Sequence, residues 1–257
     1  MNTKTDIIAL EKWAADQWPP EETEELGPWR LRAAGGFTKR ANSVLAVGDL
    51  PDDPGWFGRI RRFYSDRGLP AAFHISDSSP PELDLILENK GAIITAPCFG
   101  MIAPAAEMLA GLRLHQDRAG VNAELFTAPD PAWMEDFIAL EGFAAEARPF
   151  YEGLLARMPA PKAFVRLMTD DGETVALGTA HAFDKQAILS NIIVRKDRRG
   201  QGFAKALLSY LAAWCADNGA RCVFLQVLQD NVPALHLYES AGFHPLFRYH
   251  YRVFAQA

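Results

Sequence analysis

The sequence lacks the features of several protein classes. It has only three cysteines, Cys98, Cys215 and Cys222, and no Cys-x-x-Cys pair, so neither a disulfide framework nor a zinc or other metal site is expected. The apolar runs are interrupted before they reach the roughly 20 residues that a membrane span needs. The N-terminus has acids among its apolar residues and no small-residue cleavage site, which argues against a secretory signal. We therefore expect a protein of the reducing cytoplasm with no membrane partner.

Positive charge is also scarce. The net charge is -6, and residues 1–120 carry 13 Lys and Arg against 17 acids, while the remainder carries 13 against 15. Neither half has the basic balance of a nucleic-acid-binding domain. The exception is the stretch RKDRRGQGFAKALL, residues 195–208. It is short, so its expected partner is one compact anion.

The basic stretch lies between a strand pattern and a helix pattern. AILSNIIV before it is rich in branched residues, and apolar residues after it recur at helical spacing until Asn218 and Gly219. Gly200 and Gly202 let the backbone approach a ligand closely, and the first helical amides and the helix dipole favour an anion. This arrangement suits a diphosphate. The alternative is that the two glycines only shape a turn and that the basic residues form a solvated face.

A second motif follows about thirty residues later. CVFLQV predicts a strand, and NVPALHLYESAGF predicts a helix with Asn231 as its N-cap, Pro233 in its first turn and Gly242 at its end. The spacing R-G-Q-G-F-A from Arg199 resembles the Arg/Gln-x-x-Gly-x-Gly/Ala signature of the GNAT acyltransferases. N-x-x-A-x-x-x-Y-x-x-x-G-F, which begins at Asn231, is similar to the second motif of that family.

The resemblance implies a role for each matching residue. Acetyl-CoA is the implied cosubstrate. Its pyrophosphate is implied to lie on the glycine loop and its pantetheine arm along the preceding strand. The middle of the cosubstrate is implied to lie near Asn231 of the second motif. Tyr238 is implied to lie beside the sulfur as the acid that protonates the leaving thiolate, although a half-buried packing role suits it too. The implied cofactor-binding residues are Ile192, Ile193, Val194, Arg199, Gly200, Gln201, Gly202, Phe203, Ala204, Lys205 and Asn231.

The resemblance implies transfer of acetyl to a primary amine by direct attack. Gln226 stands where some protein N-terminal acetyltransferases have a glutamate base, and an amide cannot take that role, which favours a small-molecule acceptor. Three candidate bases stay open beside a bound water: Glu141, Glu146 and His181. The alternatives are a transferase that uses another acyl-CoA and a CoA-binding sensor or scaffold without turnover. A covalent route through a cysteine is less expected than buried packing of Cys215 and Cys222.

Residues 121–257 cover a whole GNAT domain. One strand, two helices and three antiparallel strands precede the glycine loop, with turns at Asp171-Gly172 and at Asp184-Lys185, and FRYHYRVF closes the sheet. In the family the two early helices line the acceptor pocket. The residues that this nominates are Phe143, Arg148, Phe150 and Tyr151.

Residues 1–120 show an internal repeat of the second half at an offset of 151. The matched pairs are Gly68 with Gly219, Phe73 with Phe224, Glu88 with Glu239, and Gly91 with Gly242. At the same offset Leu87 replaces Tyr238, and Asp49 and Pro51 replace the two loop glycines. Shared helix and strand chemistry is the alternative explanation. The expected fold is α/β with two GNAT-like domains, a degenerate one over 1–120 and a catalytic one over 121–257, each a mixed, mostly antiparallel sheet flanked by helices.

Overall fold

The computed structural model describes residues 3–115 and 120–255. It confirms the expected class, since mostly antiparallel strands form sheets flanked by helices. The chain forms two compact units. Unit 1 contains Met1–Phe99, Leu228–Asp230 and Phe247–Ala257, and unit 2 contains Gly100–Val227 and Asn231–Leu246. The expectation for FRYHYRVF is corrected, because this strand belongs to unit 1 and pairs antiparallel with Ala72–Ser76. The boundary between the two repeats after residue 120 stays a prediction.

Unit 1 contains strands paired in the order β1-β2-β3-β4-β11. β1–β2, β2–β3 and β4–β11 are antiparallel, whereas β3–β4 is parallel. The elements are α1 (Lys4–Asp16), β1 (Glu22–Leu26), β2 (Trp29–Ala33), β3 (Val44–Leu45), α2 (Trp56–Ser65), β4 (Ala72–Ser76), α3 (Leu83–Asn89), the first part of β5 (Ile93–Pro104) and most of β11 (His244–Val253).

Unit 2 contains strands paired in the order β10-β9-β8-β7-β6. β6–β7, β7–β8 and β8–β9 are antiparallel, whereas β9–β10 is parallel. The elements are α4 (Ala105–Leu112), β6 (Val121–Phe126), α5 (Pro131–Glu141), α6 (Arg148–Arg157), β7 (Lys162–Thr169), β8 (Thr174–Phe183), β9 (Gln186–Val194), α7 (Phe203–Asp217), β10 (Cys222–Leu228) and α8 (Val232–Ser240).

The local sequence explains the ends of these elements. Gly172, Asp184 and Lys185 have positive φ angles of 82°, 44° and 66°, as tight hairpin turns require. Asn231 caps α8 by accepting a hydrogen bond from the amide of Ala234 at 3.3 Å. The predicted hairpins and the predicted cap are therefore confirmed. No helix in the described ranges is long and apolar enough to cross a bilayer.

The two units share a sequence of elements and a pairing pattern. Two antiparallel pairings and then a parallel one join β1, β2, β3 and β4 in unit 1, and the same series joins β7, β8, β9 and β10 in unit 2. At the offset of 151, β4, α3 and the start of β5 fall on β10, α8 and the start of β11. The shared pattern favours duplication, which stays a prediction.

Before β4, the offset of 151 no longer aligns equivalent elements of the two units. This corrects the expected counterparts of the two loop glycines. Phe73 pairs with Val44 in unit 1, and Phe224 pairs with Ile188 in unit 2, so the pairing register of the parallel strands does not follow the offset. Helix α2 begins after Gly55, whereas the offset from α7 would place its start after Pro51. The counterparts of the two loop glycines are therefore Asp53 and Gly55.

Candidate active site

Strands β9 and β10 form an opening in unit 2. Their parallel pairing covers the three partners Cys222–Gln186, Val223–Ala187 and Phe224–Ile188 and then ends. Beyond Ile188, strand β9 keeps its antiparallel partners on β8, but its other edge has no strand partner in the described part of unit 2. The predicted residues Ile192, Ile193 and Val194 lie in this unpaired stretch. Backbone N–H and C=O groups there are available to an extended ligand.

A β-bulge interrupts β9 at the same level. The register between β8 and β9 shifts between Leu177 and Thr179, and Asn191 has a φ of 53°, so two residues of β9 oppose Gly178. The Asn191 side chain donates to the Thr179 hydroxyl at 3.2 Å, and that hydroxyl lies 2.6 Å from the Ser190 hydroxyl. A bulge re-aims the groups around it.

The glycine loop has the backbone that the sequence predicted. Gly200 and Gly202 have φ angles of 74° and 85°, and α7 begins at Phe203 without a side-chain cap. A Cβ at Gly200 would have no atom within 4 Å, so the space beside the loop is open. Arg199 to Gly202 are exposed, Phe203 is buried, and Ala204 and Lys205 are half-buried. An uncapped helix N-terminus with open space beside it fits a diphosphate group.

The basic side chains around the loop divide into two sets. Arg195 forms ion pairs with Glu173 and Asp197, and Arg198 donates to Glu173 at 2.7 Å. Lys196, Arg199 and Lys205 have no carboxylate partner in the part of the chain that the structure describes. Glu173 and Asp197 therefore offset part of the positive charge of this stretch, and the expectation that its basic residues serve an anion stays a prediction.

Tyr238 lies on α8 and is buried, with its ring edge-on to Phe243 at 5.9 Å between centroids. Burial raises the pKa of its hydroxyl well above the usual value, so the proton stays on the oxygen at neutral pH. No hydrogen bond of this hydroxyl occurs within residues 3–115 and 120–255. A protonated hydroxyl without an internal partner can donate to a ligand atom.

The candidate bases differ in their surroundings. Glu141 and Glu146 are exposed, whereas His181 on β8 is buried and its Nδ1 lies 3.1 Å from the Pro159 carbonyl. Burial lowers the pKa of His181 to about 4, so the ring is neutral at pH 7. An imidazole with so low a pKa is a weak proton acceptor there, which leaves the glutamates or a water as candidates.

The aromatics nominated for the acceptor pocket pack against one another. Phe143 stacks on Tyr151 at 4.8 Å, and Phe150 meets Tyr151 edge-on at 4.9 Å. Arg148 forms an i,i+4 ion pair with Glu152. These contacts account for the four side chains as packing, while leaving their predicted role untested.

The two cysteines of unit 2 have the burial of packing residues, since Cys215 is buried and Cys222 is half-buried. Burial raises the pKa of Cys215 to about 12, and burial also raises the pKa of the half-buried Cys222. Both are therefore thiols at neutral pH. Because the thiolate is the nucleophile, neither side chain suits a covalent acyl-enzyme.

The helix of unit 1 that corresponds to α7 also begins without a side-chain cap, but a carboxylate lies directly before it. The Asp53 carboxylate accepts a hydrogen bond from the Gly55 amide at 2.8 Å, and Gly55 has a φ of -88° where Gly202 has 85°. Leu87, the counterpart of Tyr238, is fully buried in the unit 1 core. A negative side chain thus stands where unit 2 has the exposed Gly200, while the counterpart of Gly202 is still a glycine.

The sequence resembles that of several known acetyltransferases. Residues 4–252 match the family described as "Probable histone acetyltransferase Rv0428c C-terminal". The chain is 36% identical over 248 residues to "Uncharacterized N-acetyltransferase YobR" of Bacillus subtilis (strain 168), covering 96% of this chain and 98% of that protein. It is 31% identical over 99 residues to "[Ribosomal protein bS18]-alanine N-acetyltransferase" of Escherichia coli (strain K12), covering 38% and 67%.

Two solved structures share the fold over nearly the whole chain. A GCN5-related N-acetyltransferase from Kribbella flavida has a TM-score of 0.73 at 17% identity and covers 100% of this chain and 97% of its own. A tandem GNAT protein from the clavulanic acid biosynthesis pathway has a TM-score of 0.67 at 14% identity and covers 98% and 94%.

Proposed function

The chain belongs to the GNAT superfamily and is an N-acetyltransferase, and from this premise we propose that unit 2 transfers acetyl from acetyl-CoA directly to a primary amine. The observation that carries the proposal is the coincidence of three features in one unit. The opening between β9 and β10, the bulge at Asn191 and the uncapped N-terminus of α7 all lie along one stretch of chain.

Each feature suits one part of the cosubstrate. The amides of the glycine loop and the first turn of α7 bind the pyrophosphate, with Lys196, Arg199 and Lys205 as cations beside it. The unpaired edge of β9 pairs with the amides of the pantetheine arm. Backbone N–H groups next to the bulge stabilise the oxyanion that forms at the acetyl carbonyl.

The chemistry needs one proton acceptor and one proton donor. A neutral amine nitrogen attacks the thioester carbon, a C–N bond forms, and the carbonyl electrons move onto oxygen. Collapse of this intermediate breaks the C–S bond, and Tyr238 gives its proton to the departing sulfur. The amine loses a proton to water or to a glutamate, and solvent returns one to Tyr238.

A small-molecule amine is the favoured acceptor. Gln226 lies on β10 and provides an amide, which cannot accept the proton of a protein N-terminus. A protein amine is the second candidate, because one relative carries the name of a ribosomal protein alanine acetyltransferase.

Thiol release tests the proposal. Acetyl-CoA is incubated with the protein and a panel of small primary amines, peptides with free N-termini and peptides with an internal lysine. We expect release that saturates with one amine class and an equal amount of N-acetylated product. A rate of thiol release that is the same with and without each amine would contradict direct transfer. Parallel runs with propionyl-CoA and succinyl-CoA test which acyl group is preferred.

A further inference from the structure

A half-buried arginine in unit 1 has no acceptor of its own. Arg40 lies in a short 3-10 turn, with its guanidinium carbon 4.0 Å from the centroid of the Trp18 ring. No carboxylate, carbonyl or hydroxyl accepts a hydrogen bond from Arg40 in the part of unit 1 that the structure describes. A guanidinium has five N–H donors, and leaving them unpaired while partly removed from water is unfavourable.

The groups in electrostatic range of Arg40 are mainly donors. Burial raises the pKa of Tyr249, of Tyr251 and of Cys98, and the positive charge of Arg40 opposes this rise in all three. The two hydroxyls and the thiol therefore keep their protons at neutral pH. Tyr249 also stacks on His74 at 4.5 Å, which makes this wall rigid.

The charges of the buried cluster do not balance. Glu11 is its buried carboxylate, and it already accepts hydrogen bonds from His74 at 2.7 Å, from Ser76 at 2.9 Å and from Ser78. Beside the half-buried Arg40, the buried guanidinium of Arg32 donates to Ser43 at 3.1 Å and 2.9 Å and pairs with no carboxylate in residues 3–115 and 120–255. Two guanidinium groups thus face one carboxylate. At the rim, Lys39 and Asp230 act on Cys98 with opposite signs.

The loop that carries Arg40 is firmly built. The Asn42 amide accepts from the backbone of Ala34 and Gly36 at 2.7 Å and 3.0 Å, and it donates to the carbonyl oxygens of Ala34 and Thr38 at 3.0 Å and 2.8 Å. Two further buried polar atoms, the Nε1 of Trp18 under the guanidinium and the hydroxyl of Thr38 two residues before Arg40, have no partner in residues 3–115 and 120–255. Such atoms call for an explanation.

We propose that unit 1 contains a binding site for a carboxylate ligand, centred on Arg40. A carboxylate matches the planar fork of a guanidinium with two parallel hydrogen bonds, and its single negative charge balances the one uncompensated positive charge. This site is distinct from the glycine loop of unit 2 and does not depend on acetyl-CoA.

Calorimetry on the whole chain tests the site directly. The probes are acetate, benzoate and phenylacetate, each with its neutral amide, and inorganic phosphate, all at constant ionic strength. We expect at least one carboxylate to bind saturably and its amide not to bind. Arg40→Gln should weaken that binding at least about tenfold, and Arg40→Lys should weaken it less because the charge remains.

Arg61→Gln is the matched control, since Arg61 also lies over an aromatic ring of unit 1, Phe254, at 5.1 Å. This variant should bind like the wild type. Equal binding by Arg40→Gln with an unchanged melting temperature, preference for phosphate, or no saturable carboxylate would overturn the proposal. Calorimetric binding does not require acetyl transfer. A failure of the carboxylate site can therefore be distinguished from a failure of the proposed function.

The carboxylate bound at Arg40 belongs either to the acceptor substrate or to a separate effector, and a kinetic comparison distinguishes these two sources. Amino acids and their amides are supplied as acceptors to the wild type and to Arg40→Gln. A rise in KM only for the amino acids identifies the acceptor as the source. An unchanged KM for both, together with lost calorimetric binding, identifies a separate carboxylate effector.

Discussion

Tyr238 is buried, and its hydroxyl has no hydrogen-bond partner within residues 3–115 and 120–255, so the hydroxyl keeps its proton at neutral pH and can donate it. Tyr238→Phe removes the donor and keeps the ring, so acetyl-CoA affinity should hardly change. We expect kcat to fall about 10²- to 10⁴-fold, the usual contribution of general acid catalysis. Steady-state kinetics and calorimetry on the same variant measure both quantities.

Tyr210→Phe, on α7, is the control, and it should keep wild-type turnover. Normal kcat in Tyr238→Phe, with the defect confined to the melting temperature, would show that Tyr238 only packs.

His181 should make the folded state sensitive to acid. Burial lowers its pKa from 6.5 to about 4, so the unfolded chain binds the proton more readily. The stabilisation is complete above pH 6.5 and is lost as the pH falls toward 4. Between pH 7 and pH 5 the free energy of unfolding should therefore drop by about 2 kcal/mol more in the wild type than in His181→Gln.

Urea unfolding at both pH values measures this difference. His236→Gln replaces an exposed histidine of the same unit and should keep the wild-type pH dependence. Identical pH dependence in the wild type and His181→Gln would refute the buried neutral imidazole.

At the scale of elements, the bulge in β9 depends on a close approach of helix α7. A Cβ at Gly178 would lie 2.9 Å from Leu211 Cδ1, 3.0 Å from Ile192 Cδ1 and 3.2 Å from Leu207 Cδ2. Gly178→Ala should therefore cost about 1–3 kcal/mol of stability through overpacking. It should also weaken acetyl-CoA binding, because the strand and the helix both shift.

Gly58→Ala, in helix α2 with open space around its Cβ, is the control, and it should be neutral or slightly stabilising. Thermal unfolding and calorimetry distinguish the two variants. Full stability and full affinity in Gly178→Ala would contradict the packing argument.

The sequence predicted the strand, loop and helix around Gly202 and the cap at Asn231, because these depend on neighbouring residues. It did not predict the bulge at Asn191, which depends on the hydrogen-bond register between two strands, although an isolated glycine such as Gly178 in a strand is a signal for one. It also missed the ion pairs of Glu173 with Arg195 and Arg198, since side chains from a distant hairpin meet only in the folded chain.

At the scale of the whole molecule, the two units have the same pairing pattern but different helix N-termini. A fixed offset compared Gly202 with Pro51, whereas Gly55 is its counterpart in the fold because each of these glycines directly precedes its helix. The Asp53 carboxylate, which accepts from the Gly55 amide, then places a negative charge at the start of α2, where it would repel a phosphate. We therefore expect unit 1 to bind no CoA, for a reason that only the folded spacing reveals.

Titration of the whole chain with acetyl-CoA tests this account most directly. The wild type should bind one molecule per chain, and Gly202→Val should bind none because a branched side chain blocks the backbone of the loop. Gly219→Val introduces the same strain at the other end of α7, where φ is 76°, and should still bind one. Two equivalent sites per chain, or unchanged affinity in Gly202→Val, would contradict a single acetyl-CoA site on the glycine loop of unit 2.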